Sequence, residues 1–365
     1  MPQGNFSMEI YEYAGNLHNH TPYSDGILYH RDIAKAAAQS DLDFVIVTDH
    51  NVWVTGVEGY YEFKDGKKML LLSGEEVHDL ERKPEGSHLL IYDTNAELRD
   101  LSQTPQQLID KVEEMEGLSF LAHPFERAAP IVEDAVYSWR DWHVNGYTGL
   151  EIWNYMSEFK GLVTSKIAAI FYAFYPDLGI TGPFRETIKK WDELLSDGHR
   201  VVVTGNADAH GQTYSMGPIS RCIFPYEFLY NAVNTHLVSR QKFTGDKSID
   251  KGIVYSALRN GNCFVGYETP HPTRGFRFSA SNEHNDCIMG EEISISDKSI
   301  RLIAKAPTQC NMQIVCNGQT IAETRDQKEM NFKVSEPGAY RVQATINHKS
   351  RERSWIFSNP IYVVP

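Results

Sequence analysis

The chain has 365 residues, 41% hydrophobic and 23% charged, ordinary globular values that leave room for more than one domain. Its formal net charge of -13 argues against a general binder of nucleic-acid polymers or membrane surfaces, since such proteins present a basic face. No apolar run approaches the ~20 residues that span a bilayer. Met1 to Ile10 carries no basic start or apolar stretch of a secretory leader, and the five cysteines (Cys222, Cys263, Cys287, Cys310, Cys316) contain no Cys-x-x-Cys pair. The expectation is a cytoplasmic protein with reduced thiols.

Residues 1–268 alternate short apolar runs with helical patterns, as β–α units do. The runs Phe44–Val47, Met69–Leu72, Leu89–Tyr92, Leu118–Leu121, Gly149–Trp153 and Val201–Val203 are nearly continuous in apolar character, as expected of parallel strands buried on both faces. Helices are expected near Arg31–Gln39, Glu186–Leu195 and Ser248–Asn260. Another should follow Thr104-Pro105-Gln106-Gln107, a capping box with proline at the first helical position, and end at Gly117. The Trp- and Tyr-rich stretch Ile131–Tyr147 has no clear assignment. Thr269-Pro270-His271-Pro272-Thr273 reads as a linker. Residues 269–365 then show short alternating segments with turns at Asn317-Gly318 and Pro337-Gly338, which predicts a small antiparallel β-sandwich.

The polar residues carry the functional information. Nearly every strand of the first part ends in, or begins with, a histidine or a carboxylate, and strand ends at one mouth of a barrel converge on one site. The first strand runs into His18-Asn19-His20, two histidines at i and i+2 on one face. Asp25 follows in Ser24-Asp25-Gly26, then Asp49-His50 after the second strand and Glu75-Glu76 after the third. His88 precedes Leu89–Tyr92, His123 follows Leu118–Leu121, and Asp208 and His210 follow the last candidate strand. Singly, each could be a capped turn, a satisfied buried histidine or a solvated loop. Together they make a metal site the better account, because chance placement must otherwise recur at each strand. Among the remaining histidines, His78, two residues past Glu76, is the nearest to this pattern.

In this order, HxH, SDG, TDH, GxE, a later histidine, AHP and DxH resemble the PHP (polymerase and histidinol phosphatase) superfamily over residues 16–266. The C-terminal part, with its closing Ser354–Tyr362, is similar to that of a subgroup including carbaryl-hydrolase-like proteins. The resemblance implies an α/β fold, a distorted (β/α)7 TIM-like barrel with an added β-sandwich, and two or three divalent ions of Zn, Mn or Fe. It implies a first ion on His18, His20, Glu76 and Asp208. Glu76 would bridge to a second on His88 and His123, with a third on Asp25, His50 and His210. Some relatives carry histidine where Asp25 stands. Asp208 and His210 are candidate catalytic residues, as is Asp49, which could equally orient its neighbour or cap a turn. Asn154 is a candidate substrate contact. Arg127 and Arg185 are candidate phosphate clamps, because a guanidinium fork matches a phosphate, with a plain surface role as the alternative.

The leading functional reading is hydrolysis of a small phosphate monoester or diester by a metal-activated hydroxide. The second keeps the metals and takes a carbamate or carboxylic ester, and an apolar pocket with both arginines turned away would favour it. The third is a non-catalytic binding module stabilised by metal. A processive nuclease fits poorly with the acidic balance.

Overall fold

The computed structural model describes residues 9–129, 136–282, 285–295 and 300–365. The chain begins with β1 (Tyr11–Asn16), α1 (His30–Gln39), β2 (Phe44–Val47), β3 (Gly59–Glu62), β4 (Lys68–Val77), β5 (Leu89–Tyr92), α2 (Pro105–Glu114) and β6 (Leu118–Leu121). Next come β7 (Gly149–Asn154), α3 (Tyr155–Leu162), α4 (Lys166–Phe174), α5 (Arg185–Ser196) and β8 (Val202–Asn206). The hairpin β9 (Thr213–Met216) and β10 (Ile219–Cys222), α6 (Tyr226–Tyr230), β11 (Val233–Ser239), α7 (Lys247–Asn260) and β12 (Cys263–Tyr267) follow. The remainder is β13 (Arg277–Ser281), β14 (Asp286–Ile288), β15 (Glu292–Ser294), β16 (Arg301–Cys316), β17 (Gln319–Lys333), β18 (Gly338–His348), β19 (Arg351–Ser358) and β20 (Ile361–Val364).

The first part is built on a mixed sheet. β1, β2 and β4 are parallel, and so are β6, β7 and β8. β5 runs antiparallel to both β4 and β6. Beyond the strands, a parallel bridge pairs Asn19 with Ala209, so the segment after β1 meets the segment after β8. Side chains alternate between two buried clusters. Phe44, Ile46, Leu70, Leu72, Leu90 and Phe120 share one with Val254 and Leu258 of α7. Val45, Val47, Leu71 and Ile91 share the other with Ile33 and Ala37 of α1. Burial on both faces explains why these strands read as continuous apolar runs.

The expected all-parallel order fails at β5. This reversal accounts for an oddity of the sequence: His88 precedes its strand, whereas Glu76 lies near the end of β4 and His123 just after β6. Because β5 is antiparallel, its start lies where β4 and β6 end, with Leu89 opposite both Val77 and Leu121.

Other expectations shift in detail. Thr104 forms no capping box, since its hydroxyl donates to the Leu101 carbonyl instead. The left-handed residue after α2 is Glu116, not Gly117. Gly117 is needed for space, because a Cβ there would lie 2.7 Å from Thr94 Cγ2. Asn317 and Gly318, both at positive φ, form the two-residue turn between β16 and β17. The described C-terminal pairs are antiparallel except for β15 and β20, which are parallel. The segment read as a linker is packed down: Thr273 is buried and Trp355 Nε1 donates to the His271 carbonyl. β12 also pairs antiparallel with β19, joining the two parts of the chain in one ladder. Residues 130–135 of the unassigned stretch, and His284, lie outside the described residues.

Candidate metal centre

β1 ends at Asn16, so His18 and His20 stand just past the strand, not within it. Backbone bonds nevertheless hold them extended: Ala209 N–H donates to the His18 carbonyl and His20 N–H to the Ala209 carbonyl. Their side chains therefore share a face. Glu75 and Glu76 alternate on β4. Glu75 turns away to accept the Leu98 N–H, and burial pushes its pKa up to about 7. Glu76 turns inward and is fully buried.

The Glu76 carboxylate is the hub. Its Oε2 lies 2.9 Å from His18 Nε2, 3.3 Å from His20 Nε2 and 3.2 Å from His50 Nδ1. Its Oε1 lies 2.8 Å from His88 Nδ1 and 3.1 Å from His123 Nε2. Asp208 Oδ1 stands 3.1 Å from His20 Nε2 and 3.3 Å from His18 Nε2. Asp25 Oδ1 stands 3.2 Å from His210 Nε2, 3.7 Å from His20 Nδ1 and 3.8 Å from His50 Nε2. Among the described residues, four groups have donor atoms close enough to hold an ion: His18, His20, Glu76 and Asp208; His20, Asp25, His50 and His210; His50, Glu76 and His88; and His78, Glu85 and His88. The backbone is strained where it aims these groups, with His123 at φ 27° and Asp208 at φ 58°. Gly26 is required beside them, because a Cβ there would lie 2.2 Å from the His20 carbonyl oxygen.

The charges are mutually supporting. Burial alone would push Glu76 up, but His18, His50 and His88 hold its carboxyl well below the usual range. Burial opposes charge on His18, yet Asp208, Glu76 and Glu151 raise its pKa well above the ordinary value. The same balance carries His20 up to about 10 and His88 up to about 9. His50 goes the other way: burial lowers it, and the neighbouring His20 and His88 add to that. Such alternation of imidazole and carboxylate suits N/O coordination of a divalent cation.

The geometry revises some of the sequence assignments. Asp49 is buried and belongs to none of the four groups, accepting from Thr21 N–H, Thr21 Oγ1 and Ser24 Oγ at 2.7 Å each. It holds the turn that carries Asp25 and is a positioning residue, not a catalytic one. Asn154 caps α3 by accepting from Ser157 N–H, and its amide donates to Glu151 Oε2 and Asp208 Oδ2. It orients Asp208 instead of facing substrate. Arg127 pairs with Glu186 and lies over the Phe184 ring, while Arg185 is exposed on α5. Neither arginine is among the described residues lining the cavity at the cluster.

That cavity, about 380 Å³, is lined by Asp25, His50, His88, His123, Asp208 and His210 together with Glu85, Glu126, Tyr137, Met156, Lys160 and Tyr214. Lys160 is the group the sequence reading overlooked. It is buried, bound to Glu126 Oε2 at 3.0 Å, with its ammonium 4.3 Å from the Tyr137 ring centroid. Nothing in its local sequence distinguishes it from a surface helix lysine. Glu151 was also overlooked, although a carboxylate inside the apolar run Gly149–Trp153 was a usable signal. It lies 3.0 Å from His18 Nδ1 and also accepts from Asn206, Asn154 and the His123 N–H. Glu85 is a third omission, 2.9 Å from His78 and 3.3 Å from His88.

Residues 16–138, which hold every cluster residue up to His123, match the family model of the PHP domain. Two solved structures are similar to the chain at low identity. One is a two-domain protein containing a predicted PHP-like metal-dependent phosphoesterase from Bacteroides vulgatus ATCC 8482, at 12% identity and TM-score 0.44, covering 96% of this chain and 95% of that one. The other is a candidate metal-dependent phosphoesterase from Bifidobacterium adolescentis ATCC 15703, at 15% identity and TM-score 0.34, covering 56% and 91%. Likeness this distant bears on neither activity nor substrate. No curated protein matches the chain. No helix among the described residues is long and apolar enough to cross a membrane.

Proposed function

We propose that the chain is a metal-dependent hydrolase of small phosphate esters. In this reading β1, β2 and β4 to β8 form a distorted seven-stranded TIM-like barrel and β13 to β20 a sandwich. The observation that carries it is the Glu76 carboxylate, whose two oxygens lie within 3.3 Å of ring nitrogens from five histidines. His18, His20, Glu76 and Asp208 would hold one ion. Glu76 would be shared with a second on His88 and His123. Asp25, His50 and His210 would hold a third, with His20 Nδ1 close by.

The residues fit such ions. His50 Nδ1, 3.2 Å from Glu76 Oε2, and His88 Nε2, 3.3 Å from Glu85 Oε1, are buried without a hydrogen-bond partner. Nitrogens brought near oxygens without hydrogen-bond geometry are expected where both aim at a cation. The donor set is imidazole and carboxylate without cysteine, which favours Zn, Mn or Fe over Ca or Mg cages. Divalent ions held there would supply Lewis acidity and lower the pKa of water to near 7.

The protein's own groups would do the rest. Glu151 and Asn154 fix the rings and carboxylates, and Asp208 and His210 face the cavity where substrate must sit. The Lys160 ammonium, paired with Glu126 and lining the same cavity, would take the phosphate-facing role assigned from sequence to the two arginines. A carbamate or carboxylic ester is the second reading, favoured by the turning away of Arg127 and Arg185. The polar lining and Lys160 weigh for phosphate. A small-molecule substrate in the cytoplasm completes the proposal.

The test is elemental analysis of the purified protein together with a panel of phosphate and carboxyl esters, with Glu76→Ala and Asp208→Ala as controls. Bound divalent metal and phosphate-ester turnover, both lost in the variants, are expected. Full activity in either variant would refute the assignment.

A further inference from the structure

We propose that the substrate's leaving group is compact and apolar, an aromatic ring or a short branched alkyl group, and that it occupies an annexe beside the metal cluster. The inference rests on the hydrolase reading and adds the substrate class.

The annexe is a second cavity of about 130 Å³. It shares the lining residues Met156, Lys160, Tyr214 and Ile223 with the cluster cavity, so the two spaces adjoin. Its remaining walls are apolar, chiefly Phe159 and Val163 after β7, Ala169, Ala173 and Phe174 of α4, and Ile219 of β10. α4 reads Lys-Ile-Ala-Ala-Ile-Phe-Tyr-Ala-Phe and carries no charge after its first residue. Arg221, at the rim, is turned onto the Phe174 ring with its guanidinium carbon 4.4 Å from the centroid. A cavity of ~150 Å³ with apolar walls takes up benzene, so this space matches one ring.

The division of labour follows from the boundary. Lys160 lies at the junction, its charge directed by Glu126, where an anionic phosphoryl group would sit against the cluster. The ester oxygen then points past Met156 and Ile223, and what it carries enters the annexe. On hydrolysis the oxygen of water joins phosphorus, the bond from phosphorus to the ester oxygen breaks, and the alcohol leaves with a proton. Apolar walls reward a ring and give nothing to a hydroxylated chain, and a group of that size in such a pocket is worth roughly tenfold or more in discrimination.

The experiment uses the metal-loaded protein and two unreactive probes, phenylphosphonate and methylphosphonate, with affinities measured by calorimetry. Phenylphosphonate should bind at least about tenfold tighter. Turnover should likewise favour benzyl phosphate over glycerol 3-phosphate, and Ala173→Leu, which fills the annexe, should bring that ratio toward one. The phosphonate comparison needs no variant and decides the matter if Ala173→Leu fails to fold. Equal affinities, with both phosphate esters hydrolysed, would overturn the annexe while leaving the hydrolase reading intact. If instead no phosphate ester is hydrolysed and benzyl acetate is preferred to methyl acetate, the phosphate reading falls and the annexe stands.

Discussion

The carboxylate of Glu151 lies 3.0 Å from His18 Nδ1, on the opposite side of the imidazole from Glu76, which is 2.9 Å from Nε2. A ring gripped at Nδ1 presents its Nε2 lone pair in one fixed direction, and such partners typically govern tenfold to 100-fold in metal affinity. Glu151→Gln should therefore weaken binding of the first ion by about that factor, with activity recovering as metal is added in excess. Metal titration followed by elemental analysis reads this directly, and unchanged affinity would remove Glu151 from the site.

Asp49 should behave differently. Its three hydrogen bonds secure the turn between Thr21 and Ser24, so Asp49→Ala should lower thermal stability by ~3 kcal/mol and loosen the Asp25 ion. Chemical denaturation gives the first quantity and metal stoichiometry the second. A variant with normal stability and no activity would restore the catalytic role that the geometry withdraws.

Lys160 and the arginines separate cleanly. Lys160→Met should raise KM for phosphate esters about tenfold or more, because a buried charge–phosphate contact is worth on the order of 1.5–3 kcal/mol. Arg127→Ala should stay within about twofold of the parent, since Arg127 is exposed and engaged with Glu186. Steady-state kinetics on one phosphate ester is enough.

A pH dependence of stability originates far from the cluster. His236 is buried between Glu12 and Glu268, each 2.8 Å away, with Thr273 at 3.1 Å and Arg277 paired to Glu12. Burial opposes its charge, but the two carboxylates raise its pKa to about 9. A raised histidine stabilises fully below its ordinary value near 6.5, and that contribution is lost as pH climbs through about 9. Glu12, with burial pushing it up and His236 and Arg277 pulling it down, sits at about 2; its share is complete above about 4.5 and lost on acidification toward about 2. Melting temperature should thus peak between about pH 4.5 and 6.5. The alkaline limb should be smaller in His236→Gln, by on the order of 3 kcal/mol. A parent whose melting temperature is flat from pH 6.5 to 9 would contradict this.

Much of this was legible because the chain marks its strand ends chemically. A short, largely apolar run flanked by a histidine or carboxylate marks a strand, and β2, β5 and β6 match their runs residue for residue. The ligand-type residues of six such ends were recoverable for that reason. What escaped was set by tertiary contact. Lys160 and Arg127 are equivalent in sequence; only packing turns one inward and binds the other to Glu186. α4 was missed because a uniformly apolar helix on a partly exposed face has no alternation to betray it. The reversal of β5 hides likewise, since a strand buried on both faces reads the same in either direction.

The ladder between β12 and β19 has a practical consequence for anyone dissecting the gene. Val265 and Phe357 sit opposite one another although 91 intervening positions separate them, so a strand made much later completes an edge that the earlier part has left raw. Cutting the coding sequence after residue 268 would deliver a polypeptide with an unsatisfied β-edge, prone to self-association. Expression trials should keep the tail attached.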